Sequence, residues 1–509
     1  MLSLVRTAEQ FAFVEIMSIL VKITLVITLI SCNEVTISRD NVFIPYVITG
    51  HPNPLKIMYS GDWAVSNHLW SPLLDFKSDG SYEPVLAEKW TRSTDGLTWD
   101  FKLRKDLKWS DGSPITTQQV IESLNRSRNG TSHTDFSRLI KKISITKNNL
   151  IRFELKKFIP QFLLGLTYSD WSITSSNSFN EDDKNFEIIN YRKLSGPYRL
   201  KTSPKTNEVV DKIELTFNNF HPKQVHSNLK SGIIQHYSTC EELVEKSDKI
   251  AAFRMYKDEL SEACKNRLIS KGFNIHEGQP SWIIKADFTK KGLMDLSLDL
   301  RQNIIHQVHN RIYLDYKAIG NIKATGLRAP YLYGSLPENR FNKLIQSLPL
   351  KDIKPNTLQV KIVSVDLWAS WKSYKWLITN LKDLNINVVE DIVTVKSFFQ
   401  LYQTGEIHSK YDVIFFPLGV GDHDPDGTWR ISSKYNYPNC FSDQELLTAY
   451  LESNVEKRSS YYQGFAEKLI KKGLYIPLVM NSDVVGVHKD YSLNEGVSLR
   501  TGTSLFDLE

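Results

Sequence analysis

The most chemically loaded run in the chain is Gly421-Asp422-His423-Asp424-Pro425-Asp426-Gly427, three carboxylates and an imidazole within seven residues. Alternating carboxylates that end on a glycine are how a calcium loop begins. Asp422, Asp424, Asp426 and Gly427 stand at positions 1, 3, 5 and 6 of the EF-hand pattern. The twelfth position should supply a bidentate glutamate but holds Ser433, and Pro425 interrupts the loop. The plainer alternative is a surface loop whose aspartates accept hydrogen bonds from their own backbone in Asx turns. Other chemistry is sparse. His306 and His309 share one face of a helix, but two histidines do not complete a metal set. No GxSxG, HExxH or phosphate-loop motif occurs, and no two carboxylates stand out as an acid–base pair. These residues give no expectation of an enzyme and none of a cofactor.

A strand delivers the acidic run. Tyr411 to Pro417 (YDVIFFP) is almost wholly apolar, as a strand buried on both faces must be. Upstream, Leu358, Val360 and Ile362 alternate as a strand, and Trp371, Tyr374, Ile378 and Leu381 recur at helical spacing. Ile386 to Val389 is a strand again and Val395 to Tyr402 a short helix. Strands alternating with helices imply a parallel-rich α/β sheet covered on both faces. Ligands of such sheets bind in the crevice beyond the carboxyl ends of the strands, so the 421–427 run lies where a ligand belongs.

The stretch Glu83 to Pro114 carries a different kind of information. Leu97, Trp99, Phe101 and Leu103 alternate with Thr98, Asp100, Lys102 and Arg104, a strand with one buried face. Turn dipeptides Asp95-Gly96 and Asp111-Gly112 flank it, and Thr116 with Gln119 is placed to form a capping box. Leu86-Ala87-Glu88-Lys89-Trp90, Asp95 through Arg104 and Asp111 through Val120 stand here in the order of an LAExW, a DGLTxxFxLR and a DGxPxxxxDV-like block. The run resembles the family-5 extracellular solute-binding proteins, the oligopeptide- and dipeptide-binding class of ABC importers. Further blocks fit that resemblance: His68 to Asp75, Ser195-Gly196-Pro197-Tyr198, Leu300-Arg301-Gln302 with Val308 to Arg311, and Ser442 to Pro477. Together they run from about Met58 to about Val487.

The resemblance implies an α/β, two-lobed periplasmic-binding-protein fold of type II, cluster C-like, with an extra third domain. Carried onto this chain, lobe I takes 43–75, 181–275 and 475–509, the extra domain 76–180, and the other lobe 276–474. It implies capture of a peptide or similar small solute between the lobes and delivery to the transmembrane subunits of an ABC permease. In peptide binders of this class an Asp in the loop after the apolar strand pairs with the free amino terminus of the ligand. Asp422 is the matching position, with Asp424 second. Backbone of Phe416 to Gly421, including Gly419, Val420 and Gly421, would pair with an extended peptide. The chain also departs from the pattern: Gly419 stands where peptide binders carry Trp, and Trp429 is the ring nearest in sequence to replace it. A sugar or metal chelate as ligand, or a sensor or surface lipoprotein on the same scaffold, are the alternatives.

From Met17 the chain reads MSILVKITLVITLISC, with Lys22 ahead of an apolar core from Ile23 to Ile30. Eight residues are too few to span a bilayer, so 1–31 reads as a signal peptide, with translation starting at Met17. Leu29-Ile30-Ser31-Cys32 looks like a bacterial lipoprotein processing box, which would leave Cys32 lipidated and 32–42 as a tether. Periodicity stays poor from Asn33 to Pro54, so the tether reading covers that stretch as well. The expected location is the periplasm or cell surface, anchored through Cys32, as a monomer. Cys240 and Cys264 are free to pair in an oxidising compartment with Cys440 left over, and two free buried thiols are the alternative. With 63 basic against 57 acidic residues the formal charge is only +6, and no Lys/Arg block suggests nucleic acid.

Overall fold

The computed structural model describes residues 39–508 apart from 45–47, 50–51, 58–59, 78, 131–133, 180–185, 203–208, 224–228, 238, 316–321, 329–332, 355–357, 420–428, 430–439, 494–504 and 506–507. The elements below belong to the compact unit Asp40–Glu509.

One mixed sheet organises this unit. Its strands are β1 (Asn41–Ile44), β2 (Tyr198–Leu200), β3 (Lys212–Phe217), β4 (Ser231–His236), β5 (Ile250–Tyr256), β6 (Phe273–Phe288), β7 (Leu358–Val365), β8 (Ile386–Val393), β9 (Val413–Gly419) and β10 (Tyr475–His488). They lie in the order β8-β7-β9-β6-β10-β5-β1-β4-β3-β2, with the short Ile322–Lys323 segment also paired to β10. β7 runs parallel to β8 and β9, and β1 runs parallel to β4 and β5. The sheet therefore has two parallel-containing halves, joined in the middle by antiparallel β6 and β10.

The two middle strands are long, 16 residues for β6 and 14 for β10. At roughly 3.3 Å per residue each reaches through both halves. β10 is buried at every position. Its end pairs with β5, Asp483 opposite Tyr256 and Val487 opposite Ala252. The β6–β10 ladder breaks register between Glu277 and Pro280 and again between Pro280 and Trp282. Pro280 has no N–H to give, so a strand interior tolerates it only at such an irregularity.

Helices cover the sheet where their apolar stripes require it. The helix α3 (Lys372–Asp383) buries Tyr374, Leu377, Ile378 and Leu381, and α4 (Val395–Gln403) buries Phe398. A separate core draws on residues between Leu73 and Ile173, with Tyr450 added from outside that span. It fills a four-stranded antiparallel sheet ordered Ala87–Arg92, Thr98–Leu103, Ile151–Leu155 and Ile140–Ile145. Trp99 and Phe101 face that core while Asp100 and Lys102 are half-exposed, the alternation read from the sequence. Gly96 and Gly112 adopt φ of +71° and +85°, which the two turns need. In α1 (Thr117–Gly130) the backbone N–H of Gln119 donates to Thr116 Oγ1 at 3.2 Å. The Thr116 N–H donates back to Gln119 Oε1 at 3.0 Å, which completes the capping box. A third cluster gathers Phe43, Phe253, Phe273 and Leu268 beside the Cys240–Cys264 disulfide, while Cys440 is a buried free thiol.

The Asn33 to Pro54 tether reading needs correction. Asn41–Ile44 is β1, flanked by β4 and β5 and buried at all four positions. A strand this short and buried on both faces has no alternation for a periodicity argument to find. His306 and His309 lie on α2 (Leu298–Asp315), where both are buried and spoken for. His306 Nδ1 meets the Leu348 carbonyl at 3.0 Å, and His309 Nε2 meets Asn342 Oδ1 at 3.2 Å. Among the described residues no group of three or more His, Cys, Asp or Glu is placed to hold a metal ion, and no helix is long and apolar enough to cross a membrane.

Candidate functional site

Both halves of the sheet turn the carboxyl ends of their parallel strands toward one place. After β5 the chain makes a single 3-10 turn, Lys257–Glu259, and after β4 comes Tyr237. On the other side β7 leads through Asp366–Ala369 to Trp371, the residue that starts α3, and β9 ends on Gly419. Side chains from the two sides meet here. The Trp371 indole N–H donates to Glu259 Oε1 at 3.3 Å, and the Tyr237 hydroxyl donates to Glu259 Oε2 at 3.3 Å. Ser373 Oγ, in the first turn of α3, donates to Asp258 Oδ2 at 2.9 Å. Burial pushes the Glu259 carboxyl up to about 8; the Trp371 and Tyr237 hydrogen bonds oppose the shift, and neighbouring Asp258 adds to it.

An aromatic wall stands beside this contact. Tyr256 packs on Trp371 with ring centroids 4.8 Å apart and edge-on to Trp282 at 5.2 Å. Trp282 comes from the irregular segment of β6, and its indole N–H donates to Asp483 Oδ2 at 2.8 Å. The same oxygen receives Ser281 Oγ at 2.9 Å and a guanidinium N–H of Arg254. The Arg254 and Asp483 side chains are only 4% and 1% exposed. Charges this buried persist where they are paired and hydrogen-bonded, which ties β5, β6 and β10 together at the crossing.

The residues expected from the sequence fall in different places. Gly419 closes β9, is exposed, and stands opposite Trp282 in the β6–β9 ladder. Val420, Gly421, Asp422, Asp424 and Cys32 lie outside the described residues. Trp429 is 1% exposed and packs edge-on against Phe441 and Phe465 at 5.8 and 5.7 Å, in the apolar core. The ring next to Gly419 is instead Trp282, whose six-membered edge would lie 3.3 Å from a Cβ at position 419. Sequence reasoning missed Tyr256, Glu259, Trp282 and Asp483. A signal existed for one of them: the buried strand IAAFRMY runs straight into Lys257-Asp258-Glu259, the same strand-then-acid pattern seen after YDVIFFP.

Comparison with known proteins agrees with this architecture. Residues 81–218 match the model of the bacterial extracellular solute-binding proteins, family 5, middle region. Among curated proteins, the nickel-binding periplasmic protein of Escherichia coli is 44% identical over 55 residues, 11% of this chain and 10% of that one. The periplasmic oligopeptide-binding protein OppA of the same organism is 41% identical over 75 residues, 15% of this chain and 14% of the relative. These matches thus span a small part of each relative's length. The solved structure of AgaA from A. tumefaciens R10, in complex with agropinic acid, superposes with a TM-score of 0.73. It is 16% identical and covers 92% of this chain and 98% of its own, a likeness of fold. The family-5 match thus covers residues 81–218, and over 92% of its length the chain shares the fold of the solved AgaA structure.

Proposed function

We propose that this protein is the ligand-capturing component of an ABC importer, taking a peptide or similar small solute between the two halves of its sheet and delivering it to a membrane permease. The observation that carries the reading is the Glu259–Trp371 contact: groups at the strand ends of opposite halves touch, and β6 and β10 are the strands that run through both. A ligand that touches both halves binds the closed arrangement better and shifts the population toward it.

The free edge of β9 supports an extended peptide. In the described ladder β9 pairs with β7 only at Val413 and Ile414, so Phe415 to Gly419 extend past that partner. A peptide backbone adds there as a strand and gains affinity without sequence preference. Asp422, three residues beyond Gly419, is the group we assign to the free ammonium of the ligand. The lobes at 43–75, 181–275 and 475–509 and at 276–474, the extra domain at 76–180 and a lipid anchor at Cys32 complete the proposal. It places the protein in the periplasm or at the cell surface as a monomer.

Thermal-shift and calorimetric titration with di- to pentapeptides and their N-acetylated forms tests the reading. Free-amine peptides should stabilise the protein, and Asp422→Ala should erase their advantage over acetylated ones. Equal binding of acetylated peptides by the wild type would remove the Asp422 role. No stabilisation by any peptide, with stabilisation by a sugar or a metal chelate, would replace the ligand class.

A further inference from the structure

The net charge of this chain sits in one short stretch. Between Arg138 and Lys157 stand seven of the 63 basic residues and one of the 57 acidic ones, Glu154, so 56 of each sign remain and the rest of the chain is neutral overall. The fold gathers the seven on the outer hairpin of the four-stranded antiparallel sheet, Ile140–Ile145 with Ile151–Leu155. Ile140–Ile145 ends the strand order, so among the described residues no strand pairs with its outer edge. Its ladder shifts register between Ile140 and Lys142, and that irregularity lets two consecutive lysines, Lys141 and Lys142, both stand exposed. The Lys156 N–H donates to the Leu139 carbonyl at 2.8 Å, which sets Lys156 and Lys157 beside the same end. Lys147 lies in the turn at the other end, roughly 20 Å away by strand length, next to Ile145, which is 41% exposed. Two of the cations are matched already: Arg152 grips Asp100 at 2.7 and 2.6 Å, and Lys141 lies 3.6 Å from Glu154. Lys142, Lys147, Lys156 and Lys157 are all exposed, and among the described residues none of them ion-pairs with a carboxylate.

We propose that this basic hairpin edge is a docking surface for the anionic headgroups of a membrane leaflet, held there by Lys142, Lys147, Lys156 and Lys157. Lysines on an outer strand commonly serve only to keep other strands from adding. That role accounts for Lys141 and Lys142, but not for Lys147 in the turn or for Lys156 and Lys157 after the inner strand. Clusters of this size attract anionic lipid through summed, long-range charge. The residue type favours lipid over an acidic protein surface. Protein interfaces are poor in lysine and rich in aromatic and arginine anchors, whereas an ammonium on a flexible stem follows headgroups that move laterally. Cations stand at both ends of the hairpin, so its long side rather than its tip meets the charged plane, and Ile145 adds an apolar contact beside Lys147. The proposal is independent of which ligand the crevice takes.

Vesicle sedimentation tests it, with the full chain carrying Cys32→Ser in every sample so that no acyl anchor contributes. Vesicles of phosphatidylcholine alone give the apolar background, and vesicles in which phosphatidylglycerol replaces part of it give the charged surface. Partitioning should rise on the order of tenfold or more with phosphatidylglycerol and fall back as salt is raised to about 0.5 M. Changing Lys142, Lys147, Lys156 and Lys157 together to Gln should remove that rise, and changing the same four to Arg should keep it. The control changes the exposed Lys249, Lys271, Lys375 and Lys396 to Gln, which lowers the net charge equally and should leave most of the rise in place. Thermal melts of all variants show that the fold is kept. Equal partitioning onto the two kinds of vesicle, or an equal loss in the control, overturns the proposal. Retention on immobilised poly-glutamate with none on anionic vesicles also overturns it, and assigns the edge to an acidic protein surface.

Discussion

Trp371 donates its indole N–H to Glu259 across the crevice at 3.3 Å, although the two residues are 112 positions apart in the chain. The carboxyl that receives it is shared with the Tyr237 hydroxyl, so three elements converge on one titratable group. With Asp258 adjacent and Lys257 paired outward to Glu277 at 2.5 Å, no described cation bonds to this carboxyl.

Stability should therefore respond to pH. The Glu259 pKa is raised to about 8, so the folded form holds the proton that an exposed carboxyl would release. The stabilisation is fully present below the ordinary carboxylate range, declines as pH rises, and is gone above about 8. Denaturant titrations of wild type and Glu259→Gln between pH 5 and 9 give the comparison. The difference between them should change with pH by no more than about 1.4 kcal/mol per unit. A pH-independent difference would mean Glu259 titrates normally.

At the strand crossing, Asp483→Ala leaves Arg254 buried without its carboxylate. The expected loss is about 3–5 kcal/mol in urea unfolding. The double change Arg254→Met with Asp483→Leu should recover most of it, because an apolar pair avoids the desolvation that the ion pair must offset. A double variant as weak as the single one would show that the charges themselves hold the crossing.

Trp429 should bear on stability and leave binding alone. Removing the Trp429 ring empties a packed aromatic site against Phe441 and Phe465, and Trp429→Ala should cost about 3–5 kcal/mol. Trp429→Phe should keep ligand affinity near wild type, since the ring is 1% exposed. A Trp429→Phe variant that folds normally but loses affinity would return Trp429 to the ligand wall.

The Cys240–Cys264 bridge closes a loop with a sequence separation of 24. Chain entropy alone assigns such a loop about 3 kcal/mol. Reduction, or Cys240→Ser with Cys264→Ser, should lower the melting temperature correspondingly, with Cys440→Ser as the control that leaves the bridge intact. An unchanged melting temperature would show that local packing around Phe253 and Leu268 suffices.

Much of the scaffold was legible because a period, or a long enough apolar run, marks each element. Trp99 and Phe101 alternate inward, and Leu358 to Ile362, Trp371 to Leu381 and the YDVIFFP run all found their elements. The crevice was half-legible. Position 419 follows from the rule that ligands gather at strand ends, but its neighbour Trp282 does not. The Trp282–Asp483 bond joins positions 201 apart, and the register break at Pro280 disrupts the alternation that would have flagged a strand. Partnerships of that range are set by topology, and local pattern carries no trace of them. β1 was lost for the opposite reason, being too short and too evenly buried to show a period.

The placement of β10 bears on how the molecule assembles. The strand that lies between β6 and β5, and so knits the halves together, is drawn from 475–488, whereas β1 beside β5 is drawn from 41–44. Such pairing carries a high loop-closure cost and implies slow folding. While the chain emerges in order, its earlier strands have edges waiting for a neighbour that has not been made. A nascent chain is thus kept unfinished, with exposed strand edges that a holding factor could bind, until its central strand arrives.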